Sequence, residues 1–219
     1  VLLADGFEEI EALTVVDLLR RAKVYVDTVS ITDDYTVRGA HGIPVQTEDL
    51  ITEIDFKESD MIVLPGSKNT MEDLLWLRQN GLEAAVLKKA AEGKIIFGVC
   101  GGYQMLGETL SDPDHVEAGG QLKGMGLLPM DTIFRGAKTR TRVQGSFPKV
   151  EGALKGLTGV KLEGYEIHMG VTTLKEGASS FVNITDTVKG TSRRTEPVQE
   201  MSMVLMCTVF LTKRKWPGR

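Results

Sequence analysis

The sequence predicts an α/β chain whose mainly parallel sheet is covered by helices on both faces. Three observations lead there. Short continuous apolar runs such as "DMIVLPG" and "KIIFGV" read as strands buried on both sides. They alternate with helix-length stretches such as "TMEDLLWLRQN" and "LEAAVLKKAAEG". Gly and Pro sit where strands hand over to the next element, as in "LPGS" and "VCGG". In sheets of this kind, sites gather at the carboxyl ends of the strands.

In chain order, "VLLA" reads as a buried strand. "DGFEEIEALTVVDLLRRA" follows with apolar residues near helical spacing, acids in front and arginines behind, an order that suits the helix dipole. "KVYVDTVSI" is β-branched and reads as a second strand. "YTVRGAHGIPVQT" reads as a hairpin punctuated by Gly39, Gly42 and Pro44. "DMIVLPG", two helices and "KIIFGV" come next, and "GGYQMLGETL" opens another helix. The loops carrying Glu8 to Glu11, Gly66 and Cys100 should all lie at strand carboxyl ends. After about Asp112, segments such as "GMGLLPM", "TRVQGSF" and "GYEIHMGVTTL" suggest an antiparallel extension. From about Gly190 the chain has no clear amphipathic period and ends basic.

The composition narrows the function. The chain has 219 residues, 42% of them hydrophobic, enough for one sizeable core. A net charge of −4, with no basic cluster before the C-terminus, argues against a nucleic-acid partner. No apolar run reaches the roughly 18 residues of a membrane span, and no signal peptide is visible. The two cysteines, Cys100 and Cys207, fit no disulfide framework and no metal-ligand spacing, as expected of a cytoplasmic chain.

The chemistry centres on "KIIFGVCGGYQMLG". A strand that turns sharply at Cys100 into a helix has the logic of a nucleophile elbow. Its glycines permit tight geometry, and the helix N-terminus should lower the thiol pKa and offer N–H groups to an oxyanion. A small buried cysteine at a tight turn is the bland alternative. A working nucleophile needs a base, usually histidine, and the chain has three: His41, His115 and His168. His41 falls in the hairpin, His115 in a polar loop, and His168 on a strand where it can pack and hydrogen-bond or serve the site.

"GVCGGYQMLG", with "VLPGSKNTMEDLLWLR", "DPDHVE", "GMGLLP" and "GYEIHMG", resembles the glutamine amidotransferase domain of cobyric acid synthase over about residues 60–173. That resemblance implies a class I glutamine amidotransferase fold, a flavodoxin-like three-layer sandwich. It implies Cys100 as nucleophile on the glutamine amide and the backbone N–H groups of Gly66 and Gly101 as oxyanion donors. Tyr103 and Gln104 either support glutamine binding or pack the helix. The ammonia released would amidate a corrinoid precursor of cobalamin on a synthetase domain that uses ATP and Mg. No part of this sequence resembles that domain, so no cofactor is expected in this chain.

Residues 1–57 differ from that family. "VLLADGFEEIEALTVVDLLRRA" and "GAHGIPVQTEDLITEIDF" resemble the ThiJ/PfpI superfamily of cysteine-dependent chaperones, deglycase-like enzymes and peptidases. There a glutamate from the first helix touches the cysteine, and Glu11 matches it. Glu8 and Glu9 read as a solvated, dipole-favoured helix start. The expected organisation is therefore one amidotransferase-like domain, 1–189, joined near Ile54 to Asp60, with an atypical tail at 190–219. Three functions follow: a glutaminase, a ThiJ/PfpI-like cysteine enzyme using Glu11 and Cys100, or a non-catalytic module that binds glutamine or a partner domain.

The family's catalytic histidine lies near the C-terminus in a string like Gly-Thr-Tyr-Val-His-Gly-Ile-Phe-Asp, absent here. Yet "EMSMVLMCTVFLT" can encode it one frame away. Taking the last base of each codon with the first two of the next, Met203 and Val204 force glycine and Met206 and Cys207 force valine. Cys207 with Thr208 gives histidine or tyrosine, and the neighbouring pairs permit the rest. The expectation is a reading frame that slipped before about Arg194, leaving Cys207 without a role and the chain a weak glutaminase. The nucleotide sequence tests it: the shifted codon across Cys207 and Thr208 should be CAC, and TAC there sinks the idea.

Overall fold

The structure, a computed structural model, describes residues 1–55, 58–136, 139–149, 155, 158–176, 179–187, 192–198 and 202–205. Residues 56 and 57 at the expected join, and 206–219 with Cys207 and Thr208, lie outside the described residues.

The parallel part is built from β1 (Leu2–Leu3), α1 (Glu9–Arg21), β2 (Val29–Ser30), the hairpin β3 (Thr36–Arg38) and β4 (Pro44–Gln46), β5 (Asp49–Leu50), β6 (Met61–Leu64), α2 (Thr70–Gln79), α3 (Leu82–Ala91), β7 (Ile95–Val99) and α4 (Gly101–Met105). Helix α1 forms where the sequence predicts it, with Glu9 and Glu11 in its first turn, Arg20 and Arg21 in its last, and Ala12 and Val16 buried. Asn69 caps α2 by accepting the Glu72 N–H.

Two expectations change. The strand expected over "KVYVDTVSI" shrinks to Val29–Ser30. Val24 and Tyr25 are exposed, and Thr28 donates its N–H to the Glu48 carboxylate at 2.7 Å instead of entering a ladder. The helix expected over "GGYQMLGETL" stops at Met105. The carbonyls of Met105, Leu106 and Gly107 accept N–H groups from Met125 to Leu128, so the next turn has lost its acceptors. Thr109–Asp112 becomes strand β8 instead.

β1, β2 and β5 form one parallel sheet, and β6, β7 and β16 (Ser202–Leu205) another. β1 lies alongside β6. Placed side by side, the strands run β5-β2-β1-β6-β7-β16, the doubly wound, flavodoxin-like order, with its switch point between β1 and β6. Beyond the strand ends, Phe7 and Ser67 form an antiparallel bridge across this seam. A cavity of about 380 Å³ opens beside it, lined by Ala4, Phe7, Leu64, Trp76 and Met105 among others.

The rest is mainly antiparallel, as expected. β9 (Gly120–Lys123) and β13 (Val171–Leu174) flank the parallel pair β8 and β10 (Met130–Ile133). β12 (Lys161–His168), β11 (Thr139–Ser146), β14 (Ser179–Asp186) and β15 (Ser192–Val198) form a fully antiparallel sheet. Two strands, β15 and β16, thus fall within 190–219.

One apolar cluster crosses the join. Leu2, Val29 and Ile31 belong with Ile62, Leu64, Ile96 and Met105. The segments that resemble two different families therefore share one core. Burial of this size is the main favourable term in folding, at roughly 25 cal/mol per Å² of apolar surface.

The turn after β7 depends on Gly98. A Cβ there would meet the Tyr103 backbone Cα and N at 2.6 Å, inside any real contact. Gly98→Ala should destabilise the chain by ~1–3 kcal/mol, read as a lower urea midpoint. An unchanged midpoint would show that α4 can move away.

Candidate active site

Cys100 links β7 to α4 with φ 49° and ψ −109°, a left-handed conformation unusual for a residue with a side chain. The elbow expected from the sequence is present. The backbone N–H of Gly101 donates to the thiol, and the Gln104 N–H donates to the Cys100 carbonyl at 3.1 Å. Gly101 packs against the turn after β6: a Cβ on it would lie 3.0 Å from the Ser67 backbone nitrogen and 3.0 Å from the Thr70 hydroxyl. Gly66 and Gly101 therefore stand on facing turns.

Gly66 is also where the first helix arrives. The Glu8 N–H donates to the Gly66 carbonyl at 3.2 Å. The Glu11 carboxylate lies over Gly66 so closely that a Cβ there would overlap its Oε2. From this position the Glu11 carboxylate acts on the Cys100 thiol and raises its pKa. The structure thus brings together Cys100, Gly66, Gly101 and Glu11.

The thiol pKa is pushed up, not down. Burial is the largest cause, followed by the charge of Glu11 and its hydrogen bond; the Gly101 N–H pulls the other way and Glu8 adds to the rise. The sequence suggests a thiol activated by a helix N-terminus. Helix α4 has only five residues, and its weak end dipole loses to burial beside a carboxylate.

Tyr103 and Gln104 are both buried in α4. Gln104 donates Nε2 to the Met169 carbonyl at 2.9 Å, while its Oε1 stands 3.5 Å from the Thr70 hydroxyl. It ties the elbow to the β12–β13 turn and to the start of α2. His168, at the end of β12, is buried with both ring nitrogens engaged: Nε2 with Glu166 at 2.9 Å, Nδ1 with the Gly170 carbonyl at 3.1 Å. Burial lowers its pKa. The side chain is thus packed and hydrogen-bonded at the end of its strand. His115 is exposed in its loop.

Glu9 departs from expectation. It is buried, not a solvated helix start, because its carboxylate folds under the β3–β4 hairpin. Its Oε1 accepts the His41 N–H at 2.8 Å, and Oε2 meets His41 Nδ1 at 2.8 Å. Burial would raise its pKa, but the hydrogen bonds from the His41 ring and backbone prevail and bring it to about 2. Glu117, the last residue of "DPDHVE", has no local sequence signature. It accepts the Met71 N–H at 3.1 Å at the start of α2, and burial raises its pKa to about 7.

Residues 11–208 match the family described as "CobB/CobQ-like glutamine amidotransferase domain". The chain belongs to this family. The cobyric acid synthase of Ruminiclostridium cellulolyticum is 60% identical over 118 residues, which is 54% of this chain and 23% of that protein. That of Dehalococcoides mccartyi strain CBDB1 is 39% identical over 170 residues, 77% of this chain and 33% of the relative. The amidotransferase-like chain thus spans about a quarter to a third of the length of these relatives. Among solved structures, oxidized DJ-1 of Toxoplasma gondii is 33% identical, covering 45% of this chain and 53% of that one with a TM-score of 0.41. The putative protease I from Bacteroides thetaiotaomicron is 13% identical, covering 54% and 77%, also at 0.41. Among the described residues, no helix is long and apolar enough to cross a membrane.

The raised thiol pKa sets a pH dependence. Thiolate is the reactive form, so alkylation of Cys100 by iodoacetamide should keep climbing beyond about pH 9 without a plateau. Glu11→Gln removes the charge and should speed alkylation at pH 8 by about tenfold, one pKa unit. Peptide mass spectrometry reads this at Cys100. An unchanged profile in the variant would mean that Glu11 does not hold the thiol neutral.

Proposed function

We propose that this chain is the glutamine-hydrolysing part of a cobyric acid synthase-type amidotransferase, with Cys100 as nucleophile. The observation that carries the reading is the left-handed elbow at Cys100, with the Gly101 N–H on its sulfur and the Gly66 turn beside it, in a member of this family.

In the reaction, Cys100 loses its proton and Sγ attacks the side-chain amide carbon of glutamine. The tetrahedral oxyanion is held by the N–H groups of Gly66 and Gly101. The amide nitrogen takes a proton and leaves as ammonia, and water then hydrolyses the γ-glutamyl thioester to glutamate and free thiol. Gln104 orients the elbow through Met169 and Thr70, and Tyr103 packs beneath it. ATP and Mg chemistry and the corrinoid acceptor of the ammonia belong to the amidating portion of such an enzyme, and no step here runs through them.

The weak point is the base. His168 is occupied by Glu166 and Gly170. The slipped-frame reading offers a candidate for the missing group, a histidine encoded across Cys207 and Thr208.

A second reading rests on the Glu11 carboxylate set over Gly66 and acting on the Cys100 thiol: a ThiJ/PfpI-like cysteine enzyme acting on aldehydes or peptides. The first reading expects glutamine turnover at least ~10⁴-fold below a complete catalytic set, abolished by Cys100→Ser and raised by restoring the frame. Turnover at the ordinary amidotransferase level in the chain as written would refute the missing base. Loss of an aldehyde- or peptide-directed activity in Glu11→Gln, with no glutaminase rescue on restoring the frame, would favour the second. Calorimetry with glutamine on Cys100→Ser separates either from a module that only binds.

A further inference from the structure

We propose that Glu8, Glu9 and His41 form a site for a divalent transition metal of the zinc class, beside the candidate active site and independent of the amidotransferase reading. The three side chains come from two separate elements. Glu8 and Glu9 stand at the start of α1, and His41 at the tip of the β3–β4 hairpin. Each offers one donor atom, and the three atoms lie within 4.8 Å of one another.

The spacing suits a small metal ion. Nδ1 of His41 is 2.8 Å from Oε2 of Glu9 and 3.7 Å from Oε1 of Glu8. Two donors at ~2.0 Å from a tetrahedral zinc stand roughly 3.3 Å apart. The two separations bracket that value, so small side-chain rotations close the set. One imidazole and two carboxylates leave a fourth position for water or substrate, as open zinc sites do. An imidazole nitrogen also favours zinc and its neighbours over calcium or magnesium, which take oxygen donors.

One ligand is already fixed. Glu9 is buried against Gly39, where a Cβ would strike its carboxylate, so it cannot swing away. Its other oxygen, Oε1, accepts the His41 N–H and orients it from behind. The hairpin tip is tied down by Ala40 N–H to the Phe7 carbonyl at 2.8 Å, Gly39 N–H to the Ile43 carbonyl at 3.0 Å, and Lys68 Nζ to the Ala40 carbonyl at 2.7 Å. The His41 side chain is 62% exposed, which leaves an entry path. On binding, the metal takes the place of any proton between Nδ1 and Glu9, and the ring keeps its proton on Nε2.

The site adjoins the thiol through the backbone. The Glu8 N–H holds the Gly66 carbonyl, and Gly66 lies under Glu11. A metal there would thus be linked through Glu8 and Gly66 to the turn that faces the Cys100 elbow.

The test is calorimetric titration of the full chain with ZnCl₂, on wild type and on Cys100→Ser. One saturable site is expected in both. His41→Ala, the milder His41→Gln and Glu8→Gln should each weaken it by at least about tenfold, the scale of a lost metal-site interaction. Circular dichroism checks that each variant is folded. Co²⁺ should give visible bands without the near-ultraviolet thiolate-to-metal absorption that a Cys100 ligand would add. The proposal is overturned by absence of saturable binding, by zinc affinity indifferent to both His41 variants, or by binding that vanishes with Cys100→Ser alone.

Discussion

The approach of the first helix to the turn after β6 is the contact on which the rest depends. Glu8 donates its N–H to Gly66, Phe7 bridges Ser67, and the Glu11 carboxylate occupies the space that a side chain at 66 would fill. β1 and β6 lie at the switch point of the parallel strands, where the connections diverge and leave a crevice. Short β1, two residues long, offers little ladder to hold its neighbour. The seam is therefore held by these loop contacts and by the apolar cluster beneath, in which Leu2 and Ile31 pack with Ile62 and Leu64. Only glycine at 66 lets the carboxylate come this close.

The same contact sets the state of the cysteine. An elbow with an N–H on its sulfur favours thiolate, while a buried carboxylate alongside disfavours it. Burial and Glu11 prevail, and the thiol is held protonated. Glu11 is thus both a structural peg in the seam and a carboxylate that acts on the thiol. Glu9 has a different task, because it turns away from the cysteine into the hairpin and pins His41. Three acids within four residues at one helix start have three separate environments: half-buried, buried and paired, and set against the thiol.

The parallel alternation, the hairpin and the cysteine elbow were legible in the sequence because each rests on local pattern. Continuous apolar runs mark strands buried on both faces, and Gly-Gly after Cys100 marks a tight turn. Glu11 came from a family resemblance, not from periodicity, since its carboxylate acts across 55 residues on Gly66. The misread parts are those decided by distant partners. "KVYVDTVSI" has strand composition, but Glu48 takes the Thr28 N–H. "GGYQMLGETL" lost its helix to N–H groups twenty residues on. The Glu9–His41 pair joins residues 32 positions apart and has no local signature.

The magnitude of the proton problem decides between the two ways of running this site. An ordinary thiol has a pKa of roughly 8.5 and an ordinary glutamate roughly 4.3. Moving the proton from Cys100 to Glu11 is then uphill by about 4 units, or about 6 kcal/mol, even before burial raises the thiol further. An imidazole near 6.5 halves that gap, and its protonated form stabilises the thiolate it creates, which a neutral carboxylic acid does far less. Glutamine attack also needs a proton returned to the leaving nitrogen, a task suited to an acid that titrates near neutrality. Glu11 is therefore suited to tuning or trapping the sulfur, and an amide hydrolysis at this elbow requires a second group to carry the proton.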